Sequence, residues 1–131
     1  MFVLRAYPPN YYSITARFPF AVERGVIFAW GDTIYNPSGG PITPALLAHE
    51  RVHGERQGTD IEGWWNSYLT SSAFRLEEEI VAHRAEFRNF RRNHADRNQR
   101  AKYLRDCAAR LASPLYGGLI SAADAKKEIT S

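Results

Sequence analysis

The sequence predicts an α+β fold: a small, mostly antiparallel sheet packed on one polar-faced helix and on a second, longer helix, with further helices toward the C-terminus. Three observations predict it. Two β-rich runs flank a Gly31-Asp32 pair, the segment 45–57 carries His and Glu at helical spacing between good caps, and 72–93 repeats apolar residues with a helical period. At 131 residues, 44% of them hydrophobic, the chain is sized for a single domain with one modest core. Strands and loops are expected through residue 42 and mainly helix from 43 onward.

Phe2-Val3-Leu4 and Tyr11 to Thr15 read as short strand pieces separated by Pro8-Pro9-Asn10, and Pro19 interrupts the apolar run Phe18 to Ala21. Val26 to Trp30 is a stronger strand. Thr33 to Asn36 is its hairpin partner across the two-residue Gly-Asp turn. Asn36 to Pro41 is loop, since Ser38-Gly39-Gly40 lacks the spacing and the lysine of a phosphate-binding loop. Thr43 is a good N-cap, Pro44 falls at the first helical position, and Gly58 is a natural C-cap, so the helix between them is well bounded. Thr59 to Tyr68 reads as a short helix or turn with Trp64 and Trp65 as core anchors, lining of a substrate pocket being the lesser alternative.

Along 72–93, Leu76, Ile80, His83, Phe87, Phe90 and His94 form one stripe, with Glu77, Arg84, Arg88 and Arg91 opposite. Glu78 is turned away from that stripe. Glu79 lies at its border and faces the same way as His83, with small Ala82 beside it to admit another helix. Asp96 to Leu111 is a third helix whose apolar side is Tyr103, Leu104, Cys107, Ala108 and Leu111, ended by Pro114. Ser121 as N-cap and Asp124 as the capping-box acid start a last helix.

The chemistry concentrates in His49-Glu50-Arg51-Val52-His53, the pattern H-E-x-x-H. At about 100° per residue, His49 and His53 stand one above the other, so two imidazoles reach one ion. Leu46, Glu50 and Gln57 share their side of the helix. Glu50 lies beside the ion rather than on it, where a carboxylate accepts a proton from activated water. The competing reading, a polar stripe on a helix surface, does not account for the caps or for a candidate third ligand. A catalytic zinc takes three protein ligands, often two His and a carboxylate.

Glu79 is the choice for that third place because periodicity turns it inward beside His83. Glu86, two turns on, is its main competitor, and Asp60 is another. The arrangement H-E-x-x-H-x-x-G-x-x-H/D fails, because Arg56 and Thr59 occupy the decisive offsets. A developing oxyanion needs a second stabiliser, and His83, one turn after Glu79, is placed for it; a buried His paired to Glu79 or Glu50 is the equal alternative. Tyr116 reads first as a loop anchor and only second as a weaker donor candidate, and His94 as an ordinary residue.

With His49-Glu50-x-x-His53 and Glu79-Ile80-Val81-Ala82-His83 together, the chain resembles the zincin metallopeptidases over roughly Val26 to Phe90. Within them it is most similar to the gluzincin branch in its minimal, single-domain form. The resemblance implies zinc on His49, His53 and Glu79, with Glu50 as general base and His83 in a supporting catalytic place. It implies a zinc metalloendopeptidase whose polypeptide substrate lies along a sheet edge from the Val26–Asn36 region. The second domain that closes the cleft of larger gluzincins has no counterpart here, which implies a shallow cleft and weak or narrow activity. The alternative is a zincin-fold binding or structural protein without turnover, such as a virion or regulatory component.

A net charge of +3 does not argue for nucleic acid. Between Val81 and Arg110 nine Arg or Lys stand against three Glu or Asp, which reads as solvated helix faces, with an acidic partner or nucleic acid as the sharper alternative. Cys107 is the only cysteine and excludes an internal disulfide framework. The N-terminus has no apolar run of secretory length and no stretch approaches a membrane span, so the expectation is a cytoplasmic protein without a membrane partner.

Overall fold

The computed structural model describes residues 1–22 and 25–131. In chain order the elements are β1 (Phe2–Leu4), α1 (Tyr11–Arg17), a 3-10 turn (Pro19–Val22), β2 (Phe28–Trp30), β3 (Thr33–Tyr35), α2 (Pro44–Gln57), α3 (Ile61–Thr70), α4 (Ser72–Asn93), α5 (Arg97–Leu111), a second 3-10 turn (Pro114–Tyr116) and α6 (Ala122–Thr130). The fold is α+β and mostly helical, with one three-stranded sheet in the order β1-β3-β2. Among the described residues no helix is long and apolar enough to cross a membrane.

The sheet is mixed rather than mostly antiparallel. β2 and β3 are antiparallel with Ala29 opposite Ile34, as the tight Gly31-Asp32 turn dictates, while β1 runs parallel to β3 with Val3 opposite Ile34. A parallel pair needs a long crossover, and α1 and β2 supply it between β1 and β3.

The first forty-two residues also hold a helix where strand was expected. Tyr11 to Thr15 is β-rich in composition, yet it belongs to α1, because Tyr11 N–H bonds Pro8 C=O and Ile14 N–H bonds Asn10 C=O, winding the chain after the prolines. Ile14 and Phe18, four residues apart, then fall on one side and are buried in the same apolar cluster. Period four, not period two, is the packing solution.

The other helix boundaries follow their caps. Thr43 Oγ1 accepts from Leu46 N–H, and the chain leaves α2 at Gly58 with φ 57°. Asp60 caps α3, Ser71 caps α4, Asp96 caps α5 and Ser121 caps α6, the last by accepting from Asp124 N–H.

Two apolar clusters flank the centre. Ile14, Phe18, Phe28, Trp64, Trp65 and Tyr68 pack α1, β2 and α3 together. Phe87, Cys107, Ala108, Leu111, Ala125 and Ile129 join α4, α5 and α6. Between the clusters α2 packs most extensively on α4, and the surfaces that meet there are polar. α2 buries His49, Glu50, His53 and Gln57, and α4 buries Arg75, Glu78, Glu79, His83 and Glu86. The most buried stripe of α4 is therefore its charged one. Leu76 and Ile80 pack only partly buried against the second cluster, and Glu78, expected to point away, is 2% exposed.

The hairpin is fastened to α2 by one amide. Gln57 Nε2 donates to Ala29 C=O at 2.9 Å, and Gln57 Oε1 accepts from Gly31 N–H at 2.6 Å. One turn earlier Gly54 lies so close that a Cβ would stand 2.2 Å from the Gly31 carbonyl oxygen. Alanine at 54 should gain about 1 kcal/mol in helix propensity and lose more to backbone displacement, for a net loss of about 1–2 kcal/mol. Thermal melting of Gly54→Ala checks this; a raised midpoint would mean the approach is not tight.

Candidate metal centre

α2 sends both imidazoles to the same place. His49 and His53, 3% and 5% exposed, have ring centroids 4.9 Å apart. α4 brings Glu79 between them: its Oε1 lies 3.3 Å from His49 Nε2 and its Oε2 2.9 Å from His53 Nε2. Tyr68 of α3 holds that carboxylate from the far side, its hydroxyl donating to Oε2 at 2.7 Å. Glu79 is kept well below the usual carboxylate range: burial opposes its charge, but the two histidines outweigh burial.

This group fits a metal ion. The ligand atoms of His49, His53 and Glu79 lie within 4.8 Å of one another. Zinc bonds of about 2.0–2.1 Å at tetrahedral angles place ligand atoms about 3.3 Å apart, close to the spacing found here. Glu79 Oε1 is buried without a well-formed hydrogen bond, its neighbour being His49 Nε2 at 3.3 Å, which leaves the oxygen open to a metal ion that displaces the His49 proton.

Glu86, the competing third ligand, is engaged elsewhere. It is fully buried and receives both guanidinium nitrogens of Arg110 at 2.8 Å, the Tyr103 hydroxyl at 2.7 Å and, at 2.9 Å, His49 Nδ1. It therefore supports His49 from behind, fixing which nitrogen faces Glu79. His49, His83 and Glu86 also lie within reach of one another, but Arg110 already supplies the cation there. Asp60 is exposed and spends its side chain on Gly63 N–H as the α3 cap.

Glu50 reaches the centre without joining it. Its Oε1 is 3.9 Å from His49 Nε2, it borders the cavity in front of the histidines, and burial pushes its pKa up. Of the two readings of His83, its surroundings favour the buried ring beside Glu79. It is 0% exposed, lies behind His49 with ring centroids 4.7 Å apart, and does not border the cavity. Burial and the charge on His49 lower its pKa to about 3, so the ring is neutral. Its Nδ1–H is spent on Glu79 C=O at 2.7 Å, leaving Nε2 without a proton to donate.

The cavity, about 660 Å³, is bounded by Val26–Ala29, Ile42, Leu46, Trp65, Leu115 and Tyr116 as well as by the centre. Part of the expected strand edge is closed, because Ala29 C=O accepts from Trp65 Nε1 as well as from Gln57. Sequence reasoning missed Tyr68, Arg110 and the inward Glu78. Glu78 receives Trp64 Nε1 at 2.6 Å and Arg56 Nε at 2.7 Å, and Trp64 packs edge-on against His53 at 5.3 Å. Arg75, Glu78, Glu79, Ala82, His83 and Glu86 recur at helical spacing, a signal present in the sequence but carried by polar residues.

Two outcomes follow from this wiring. Arg110→Ala leaves Glu86 buried without its cation and should cost about 2–4 kcal/mol, with Arg110→Met/Glu86→Gln recovering part of the loss in denaturant melts. In the metal-free protein burial lowers His49, but Glu79 and Glu86 together raise it to about 10, so a metal must displace its proton. Metal affinity should then rise with pH from 6 to 9 by about tenfold per unit, with about one proton released. Calorimetry in buffers of different ionisation enthalpy measures this, and zero release would contradict it. Compared with protein-family models, curated proteins and solved structures, the chain matches none.

Proposed function

We propose that this chain is a zinc-dependent peptidase of the zincin type, with the layout of a minimal gluzincin. The observation that carries the reading is Glu79 set between two imidazole Nε2 atoms from one face of α2, with its Oε1 lacking a well-formed hydrogen bond. His49, His53 and Glu79 would hold the ion. Bound there, zinc supplies Lewis acidity, which acidifies water and polarises a carbonyl.

The remaining roles belong to the chain itself. Glu50, raised by burial and bordering the cavity, takes the proton of the attacking water and returns it to the leaving amine. Tyr68 keeps Glu79 oriented through its 2.7 Å hydrogen bond. Tyr116 borders the cavity, and burial and Glu79 hold its hydroxyl protonated well above the usual tyrosine range. It takes the oxyanion-donor role that His83 cannot fill from behind His49. Val26–Phe28, on the cavity side of the hairpin, supports an extended polypeptide lying alongside.

Glu50→Gln should retain stoichiometric zinc and lose about 10²–10⁴-fold in peptide hydrolysis. Glu79→Ala should lose the metal by elemental analysis, while Glu86→Ala keeps it with affinity weakened about 10–100-fold. Zinc bound equally by all three would sink the ligand assignment. Zinc binding by the wild type with no turnover of a random peptide library would leave a metal-bound binding protein.

A further inference from the structure

The charge of this chain is uneven, and its basic residues gather where α4 hands over to α5. Residues 88–105 hold six Arg and one Lys against the single acid Asp96, while the rest of the chain has ten Arg or Lys and thirteen Asp or Glu. The structure folds this stretch into one helical hairpin, α4 ending at Asn93 and α5 starting at Arg97. Arg100 fastens the tip, donating to the carbonyls of Arg91, at 2.8 Å, and of His94. Asp96 is spent on the N–H groups of Asn98 and Gln99, and Lys102 pairs with Asp106. That leaves Arg88, Arg92, Arg97 and Arg105 exposed, together with Arg91, whose guanidinium lies over the Phe87 ring at 5.9 Å, and none of the five forms an ion pair among the described residues.

A purely solvated pair of helix faces interleaves both signs, because crowded like charges repel. Here the two acids, Asp96 and Asp106, are already engaged and leave the arginines uncompensated, so an anionic partner would relieve the repulsion. The side chains say which. Arginine outnumbers lysine, and its planar fork matches phosphate oxygens. Asn93, Asn98 and Gln99 stand exposed among the arginines, and amides bond both phosphate oxygens and base edges. A membrane surface calls for apolar anchors beside the cations, but the exposed large hydrophobics lie within residues 1–12. A single strand calls for open aromatic platforms, but Phe90 is already stacked on His94 at 3.8 Å and on Tyr103 at 3.9 Å.

We propose that the α4–α5 hairpin is a docking surface for the backbone of double-stranded nucleic acid, with Arg88, Arg92, Arg97 and Arg105 on its phosphates. The overall charge of the chain conceals this, because acids elsewhere cancel the cluster. The surface is independent of the metal centre.

Fluorescence anisotropy of the full chain with labelled duplexes of about 20 base pairs, DNA and RNA in separate arms, tests the proposal. Four phosphate contacts predict affinity falling about a hundredfold between about 50 and 200 mM salt. Reversal of the four arginines to Glu should abolish binding with melting temperature unchanged, and replacement by Lys should keep most of it. If the fourfold reversal does not fold, Arg88→Gln/Arg92→Gln and Arg97→Gln/Arg105→Gln should each lower the salt slope by about two. Binding should persist after chelation and in Glu79→Ala. The proposal is overturned by no duplex binding at low salt, by binding indifferent to these substitutions, or by tighter binding to poly-glutamate or phosphatidylserine vesicles than to duplex.

Discussion

One imidazole ties the interior together. His49 offers Nδ1 to Glu86 and Nε2 toward Glu79, and so joins two carboxylates that could not otherwise share the inside of a small domain. Along this line the charges alternate: Glu79, the His49 ring, Glu86 and then Arg110, partly exposed and itself bordering the cavity. Tyrosine hydroxyls close the two ends, Tyr68 on Glu79 and Tyr103 on Glu86. Isolated charges in such a place cost several kcal/mol each, and only this order of partners makes their burial tolerable.

The two apolar clusters are what make that line effective. They exclude water from both flanks of the α2–α4 contact, and in the lower dielectric every remaining electrostatic interaction grows. α4 serves both purposes because it is two-faced: Glu79, His83 and Glu86 look toward α2, and Phe87 with its neighbours toward α5 and α6. Ala82, 0% exposed, leaves room for the helices to approach closely.

Local chemistry made much of this legible in the sequence. The H-E-x-x-H helix is bounded by Thr43, Pro44 and Gly58, residues with strong positional meaning, and its two histidines had to share a face. The convergence of Glu79 on them was also readable, from period alone. What failed was reading the rotation of α4 from its apolar residues, because its buried face is polar; that error turned Glu78 outward. Tyr11 to Thr15 failed for another reason: strand-prone composition yielded to the burial of Ile14 and Phe18 across four residues. Arg110 had no signal, since nothing local distinguishes a buried clamp from any other arginine late in a helix.

The Gln57 amide spans from the last turn of α2 to both Ala29 and Gly31, and His53 is one turn before it. The wall that a guest molecule would press against and the rings that would grip an ion thus belong to a single stiff piece. α1 and the Asn36–Thr43 loop border the same space. Whatever fills that space meets a wall whose position relative to the histidines is set by a single amide.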